Sequence, residues 1–195
     1  MHLTSFTMKN SARGFSLIEM LVALLVISIG LLGIAKMQAL ALSNTSGGRL
    51  RAVAAIEAGG LVSVIASDRN YWGTLPSALS ITVAKGSSAP TISGSTALAS
   101  TSSCNVADSG NIAPCTATQM AAYDLNSWAG EFQNVMNGLG AGNYFAQVTC
   151  NAYTKGVTQV TCQVTVNWTE QNVLANSTQS TTGMAAPSYT LYINP

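Results

Sequence analysis

Glu19 is the only charged side chain between Phe15 and Ala35, a run of 21 residues that are otherwise apolar or small. An acid near the centre of a membrane span costs about 2.5–3.5 kcal/mol, and less near an end, so a carboxylate there calls for a partner. The second set of reactive side chains is Cys104, Cys115, Cys150 and Cys162, all in the second half of the chain and none in a C-x-x-C pair. An even count at wide spacing, downstream of a targeting segment, reads as two disulfides made in an oxidising compartment. Other chemistries lack their parts. The single histidine is His2, at the extreme N-terminus, which removes histidine-dependent triads and nearly all zinc sites. Asp108, Asp124, Glu131 and Glu170 could supply a carboxylate pair, but no spacing favours one, and an exposed helical face accounts for Asp124 and Glu131. Ser-Lys catalysis through Lys85 or Lys155 has no motif behind it, and no glycine-rich loop is built to cradle a phosphate. The sequence therefore predicts no catalytic residue, no metal site and no cofactor.

Composition narrows the class further. Charged residues make up 8% of the chain, against about 25% in an average soluble protein. A formal charge of +1 leaves no strong electrostatic footprint for nucleic acid. Met1 to Gly14 is polar and mildly basic, with Lys9 and Arg13 and no acid. As a helix the apolar run that follows is about 32 Å long, enough for a bilayer core of about 30 Å. Lys9 and Arg13 place the leader in the cytoplasm and export everything after Lys36, which can snorkel at the far interface.

Three readings compete for this segment. A cleaved signal peptide has an A-x-A site at Ala39-Leu40-Ala41, but its apolar run is too long and carries an acid near its start. A plain membrane anchor leaves Glu19 as an unexplained penalty. The third reading gives Glu19 a partner.

Gly14-Phe15-Ser16-Leu17-Ile18-Glu19, with the unbroken apolar stretch behind it, resembles the processing motif of type IV prepilins and pseudopilins. The resemblance implies that a membrane prepilin peptidase cuts between Gly14 and Phe15, that Phe15 is N-methylated, and that Glu19 pairs with the new terminal amine, on its own or a neighbouring subunit. The physics agrees: Gly14 offers the peptidase an unobstructed backbone, Glu19 lies one helical turn from Phe15, and a buried acid is tolerable beside an ammonium. A leader starting at Met8 would have the seven-residue length usual in the type IVa class; a 14-residue leader from Met1 is the alternative. The stretch from Leu21 to Gly33, followed by Met37-Gln38, is similar to PilV-type minor pilins of type IVa pili. Major pilins usually carry a helix-kinking proline at the position of Lys36; this chain instead has Gly30 and Gly33, either weak points in the helix or sites of close helix packing. The likeness is dense over residues 14–38 and patchy near 115–128, 160–168 and 189–195.

Downstream, Leu50, Val53, Ala54, Leu61, Val64 and Ile65 follow helical spacing, with bends or short breaks expected at Gly47-Gly48 and Gly59-Gly60 and an end near Asp68-Arg69-Asn70. Ile81-Thr82-Val83 reads as a short strand. Gly86 to Ser103 reads as a long loop, with Ile92 and Leu98 its only larger apolar residues. Thr116 with Gln119 forms a capping-box pattern opening a second helix, whose stripe is Ala121, Leu125, Trp128, Phe132, Val135 and Leu139. Two alternating segments, 144–150 and 160–168, form a hairpin about Lys155-Gly156, and 189–195 is a closing strand.

If that hairpin centres on Gly156, Cys150 faces Cys162, which leaves Cys104 for Cys115. A one-residue slip would forbid the first bond and favour Cys115 with Cys150 and Cys104 with Cys162. The predicted fold class is α+β and pilin-like: a long N-terminal transmembrane and packing helix, then a periplasmic head with a second helix and an antiparallel sheet. The expected divisions are a leader over 1–14, a helix over 15–70 (span 15–35, periplasmic half 36–70) and a head over 71–195.

By resemblance, the function implied is that of a minor pilin in the initiating or tip complex of a type IV pilus, supporting adhesion, twitching motility or DNA uptake. Its partners would be the prepilin peptidase, other minor pilins and the major pilin, the inner-membrane assembly platform, and membrane lipid before assembly. It would pass from the inner membrane, head in the periplasm, to the pilus at the cell surface. The alternative is a minor pseudopilin of a type II secretion system.

Overall fold

Leucine, isoleucine, valine and alanine dominate the chain from Leu17 to Ser67, with no proline, and this whole stretch is one α-helix, α1 (Leu17–Ser67). The computed structural model describes residues 14–100, 104, 115–169 and 187–195; residues 1–13 with His2, Lys9 and Arg13, and also Asp108 and Glu170, lie outside the described residues. The chain divides into two compact units, Met1–Leu42 and Ser43–Pro195.

In the first unit α1 is apolar around its whole circumference, and Ser28, the polar residue in mid-run, returns its hydroxyl proton to the Leu24 carbonyl at 2.7 Å. In the second unit α1 has a single buried stripe, including Leu50, Ala54, Ala58, Leu61 and Ile65, with Ser63 and Ser67 exposed. The breaks expected at Gly47-Gly48 and Gly59-Gly60 do not occur. The helix runs unbroken through both pairs, at a cost of about 1 kcal/mol per glycine relative to alanine. At Gly60 a side chain would be crowded, since a Cβ would lie 3.3 Å from Trp128 Nε1.

After α1 a short turn of helix, α2 (Arg69–Trp72), carries Trp72 into the core. Strands β1 (Leu79–Ala84) and β2 (Thr91–Ser93) and a helical turn α3 (Thr96–Ala99) follow. These correct the expectation of a long loop from Gly86. Ile92 pairs with Val83 across the β1–β2 ladder, and Leu98 is completely buried. Gly94, at φ +93°, makes the turn: a Cβ there would sit 2.1 Å from the Ser80 carbonyl oxygen. The Asn126 amide then donates to the Leu98 carbonyl at 2.9 Å, tying α3 to the long helix that comes next.

That helix, α4 (Ala117–Gly138), opens with a complete capping box between Thr116 and Gln119. Its buried stripe is Ala121, Ala122, Leu125, Trp128, Ala129, Phe132 and Met136. Val135, expected in the stripe, is 37% exposed, and Met136 takes the position four residues beyond Phe132. Strands β3 (Tyr144–Cys150), β4 (Cys162–Trp168) and β5 (Ser188–Ile193) complete an antiparallel sheet in the order β2-β1-β3-β4-β5. Alternation sets its faces. Val148, Val164 and Val166 turn inward, while Gln147, Thr149 and Gln163 face out.

An aromatic chain links the layers of this unit. Trp128 donates its indole N–H to the Glu57 carbonyl of α1 at 3.2 Å and stacks on Phe132 at 4.9 Å. Phe132 meets Tyr144 of β3 edge-on at 5.3 Å, and the Tyr144 hydroxyl donates to Asn137 Oδ1 at 2.9 Å. A long apolar helix followed by a second helix and an antiparallel sheet is a pilin-like α+β arrangement.

Candidate functional site

Gly14, Phe15 and Ser16 precede α1, and the Ser16 carbonyl accepts from the amides of Glu19 and Met20 at 3.1 and 3.3 Å, closing the first turn. Glu19 is therefore an acid in the first helical turn, where the exposed amides favour negative charge. A Cβ on Gly14 would meet nothing within 4 Å, so packing does not explain glycine there. Phe15 is 77% exposed, and the whole apolar run beyond it is equally bare. The most apolar 18-residue window of α1 has a mean hydropathy of 2.7 and no buried residue. Each large side chain of that kind is worth about 1.5–3 kcal/mol when removed from water, so the segment demands lipid or other apolar helices around it.

The four cysteines form two bridges, Cys104–Cys115 and Cys150–Cys162. The second joins directly opposed residues of the β3–β4 ladder. Its hairpin turns at Gly156, with φ +77°, and the Asn151 side chain clips the connection by accepting from the Thr161 amide and donating to the Gln159 carbonyl. The first bridge anchors the chain just before the α4 capping box.

The remaining candidates of the second unit occupy structural positions. Lys85 donates to the Gly142 carbonyl at 3.1 Å and lies over the Tyr144 ring at 5.5 Å, while Lys155 sits exposed in the hairpin turn. Burial holds the Tyr144 hydroxyl above its ordinary range. Asp124 and Glu131 do not pair with each other. Each instead faces an acid at the other side of the α1–α4 contact, Asp68 and Glu57 respectively. These two partners were not singled out in the sequence, because the pairs are far apart along the chain and no motif links them. Among the described residues no group of three or more His, Cys, Asp or Glu side chains is placed to hold a metal ion. A cleft of about 450 Å³ beside β2 and α3 is lined by Ile92, Ser93, Gly94, Ser95, Thr96, Ala97 and Ala99, with no charged group.

Residues 9–35 match the family of the prokaryotic N-terminal methylation motif. No curated protein and no solved structure matches the chain. The matched segment contains Gly14, Phe15, Glu19 and the apolar run as far as Ala35. A methylation motif of the pilin-type prepilins at the head of a bare apolar helix supports a type IV pilin-like or pseudopilin-like chain; the motif implies a prepilin peptidase as processing partner, and the helix is consistent with membrane anchoring.

Proposed function

We propose that this chain is a PilV-type minor pilin that enters a type IV pilus as part of its initiating or tip complex, with a structural rather than a catalytic role. The observation that carries the proposal is the N-methylation motif standing immediately before an apolar helical segment with no buried residue. Hydrolysis of the Gly14–Phe15 bond removes Lys9 and Arg13 with the leader and frees the Phe15 amine, which is then methylated. Before cleavage the segment lies in the inner membrane with the leader in the cytoplasm and residues 71–195 as a periplasmic head. After cleavage the ammonium of Phe15, on the same or a neighbouring subunit, neutralises the Glu19 carboxylate inside an apolar bundle. A lone buried charge costs several kcal/mol, whereas a paired one is tolerated, so the pair sets register as well as charge. Exchange of lipid contacts for helix contacts costs little by comparison, because both surroundings are apolar. Major pilin, other minor pilins and the assembly platform are the partners this requires.

Glu19→Ala tests the pairing. Cleavage should proceed, since Gly14 and Phe15 remain, while recovery of the variant in sheared filaments should fall at least tenfold. Wild-type recovery in filaments would show that Glu19 has no role in assembly. Placement in the short pseudopilus of a type II secretion system is the other home for the same motif, and recovery with that machinery in place of pili would transfer the proposal there.

A further inference from the structure

Two pairs of like-charged groups face each other where α4 packs on α1: Glu57 opposite Glu131, and Asp68 opposite Asp124. The pairs flank the Trp128 indole, which is bonded to the Glu57 carbonyl, so they lie along one antiparallel seam. Asp68 stands at the N-cap of α2 yet its side chain makes no capping bond. Its Oδ2 is buried, and no donor among the described residues reaches it. The side chain's polar partner is instead the Asp124 carboxyl. Two carboxyl groups can hydrogen-bond only when one of them holds a proton. The groups around the pair do not relieve it. Arg69 of α2 is exposed and does not offset Asp68, and the Tyr71 hydroxyl of α2 is engaged with the Ser95 side chain at the start of α3. A cleft of about 280 Å³, lined in part by Asp68, Arg69, Tyr71 and Met120, borders the Asp68 side of the pair.

We propose that a proton shared between Asp68 and Asp124 fastens α4 to the end of α1, making the head a pH-sensitive body that tightens in mildly acidic surroundings and loosens in neutral ones. Burial, and then the charge and hydrogen bond of Asp124, raise the Asp68 carboxyl from an ordinary 3.8 to about 6. Burial and then Glu131 raise Glu57 as well. For an acid raised in the folded state, the folded protein binds more protons than the unfolded one between the two values. The stabilisation is therefore complete below about pH 4 and is lost as pH rises through about 6. The full effect would be about a tenfold fall in the folding equilibrium between pH 5 and pH 7.5, and partial exposure of Asp68 screens it to about threefold.

The chain has three aspartates, Asp68, Asp108 and Asp124, so the full-length protein in detergent micelles, labelled with carbon-13 at the aspartate carboxyls, gives a resolvable titration. One signal should titrate near pH 6, vanish in Asp68→Asn and move to lower pH in Asp124→Asn. Denaturant titration should show the stability slope between pH 5 and 7.5 flattened in both variants. Three midpoints near pH 4 in the wild type, or an Asp68 midpoint that Asp124→Asn leaves in place, would overturn the proposal. So would a wild-type slope in either variant.

Discussion

The stretches of α1 on either side of Leu42 have the same backbone conformation and opposite demands on their surroundings. Before it, Leu17, Leu25, Leu31 and their neighbours are exposed on every side of the helix. After it, Ala54, Ala58, Leu61 and Ile65 are completely buried along one stripe while Ile56, Ser63 and Ser67 stay outside. A stripe is what a helix needs when one side meets a core and the other meets water; an unstriped apolar surface is what it needs when no side meets water. The contrast separates two kinds of stability. The second stretch is held by packing within its own unit. The first depends on whatever apolar surroundings replace water around it, which the proposed function supplies as a bilayer before assembly and neighbouring helices after.

Substitutions should divide along the same line. The largest effect on folding is expected at Phe132, completely buried between Trp128 and Tyr144. Phe132→Ala should lower stability in denaturant titration by about 3–5 kcal/mol, because both aromatic contacts go and a cavity remains. Removing the β3–β4 bridge with Cys150→Ala and Cys162→Ala together should cost about 3 kcal/mol, from the loop entropy returned to the unfolded chain. Leu24→Ala, on the bare stretch, should change the stability of the Ser43–Pro195 unit by less than about 0.5 kcal/mol. A loss at Leu24 comparable to that at Phe132 would break the division and show that the first stretch packs on the second unit.

How much of this the sequence disclosed follows the same physics. The unbroken run behind Glu19, the Thr116–Gln119 capping box and the strict alternation around Cys150 and Cys162 are local patterns, and each led to the element found. Local pattern failed where tertiary contacts decide. Residues 91–99 look like loop because only Ile92 and Leu98 are large and apolar, yet the β1 ladder and the Asn126 amide give them shape. The Gly59-Gly60 pair looks like a break until Trp128 is seen lying over Gly60. The Asp68–Asp124 contact joins a helix end to the middle of another helix, so no spacing announces it. At the N-terminus the methylation motif was legible because it lies within one local stretch, residues 9–35, and no tertiary contact has to be inferred to read it; the roles of Gly14, Phe15 and Glu19 within it belong to the proposal.

The central claim is that the bare segment is made ready for assembly by cleavage between Gly14 and Phe15, and the mass of the N-terminal peptide of membrane-extracted protein tests it most directly. The mature chain should begin with N-methyl-Phe15. Loss of Lys9 and Arg13 leaves six basic residues against seven acidic ones and moves the side-chain balance from +1 to −1. An intact leader, or a chain that starts at Leu42 after an ordinary signal cleavage, would contradict the account.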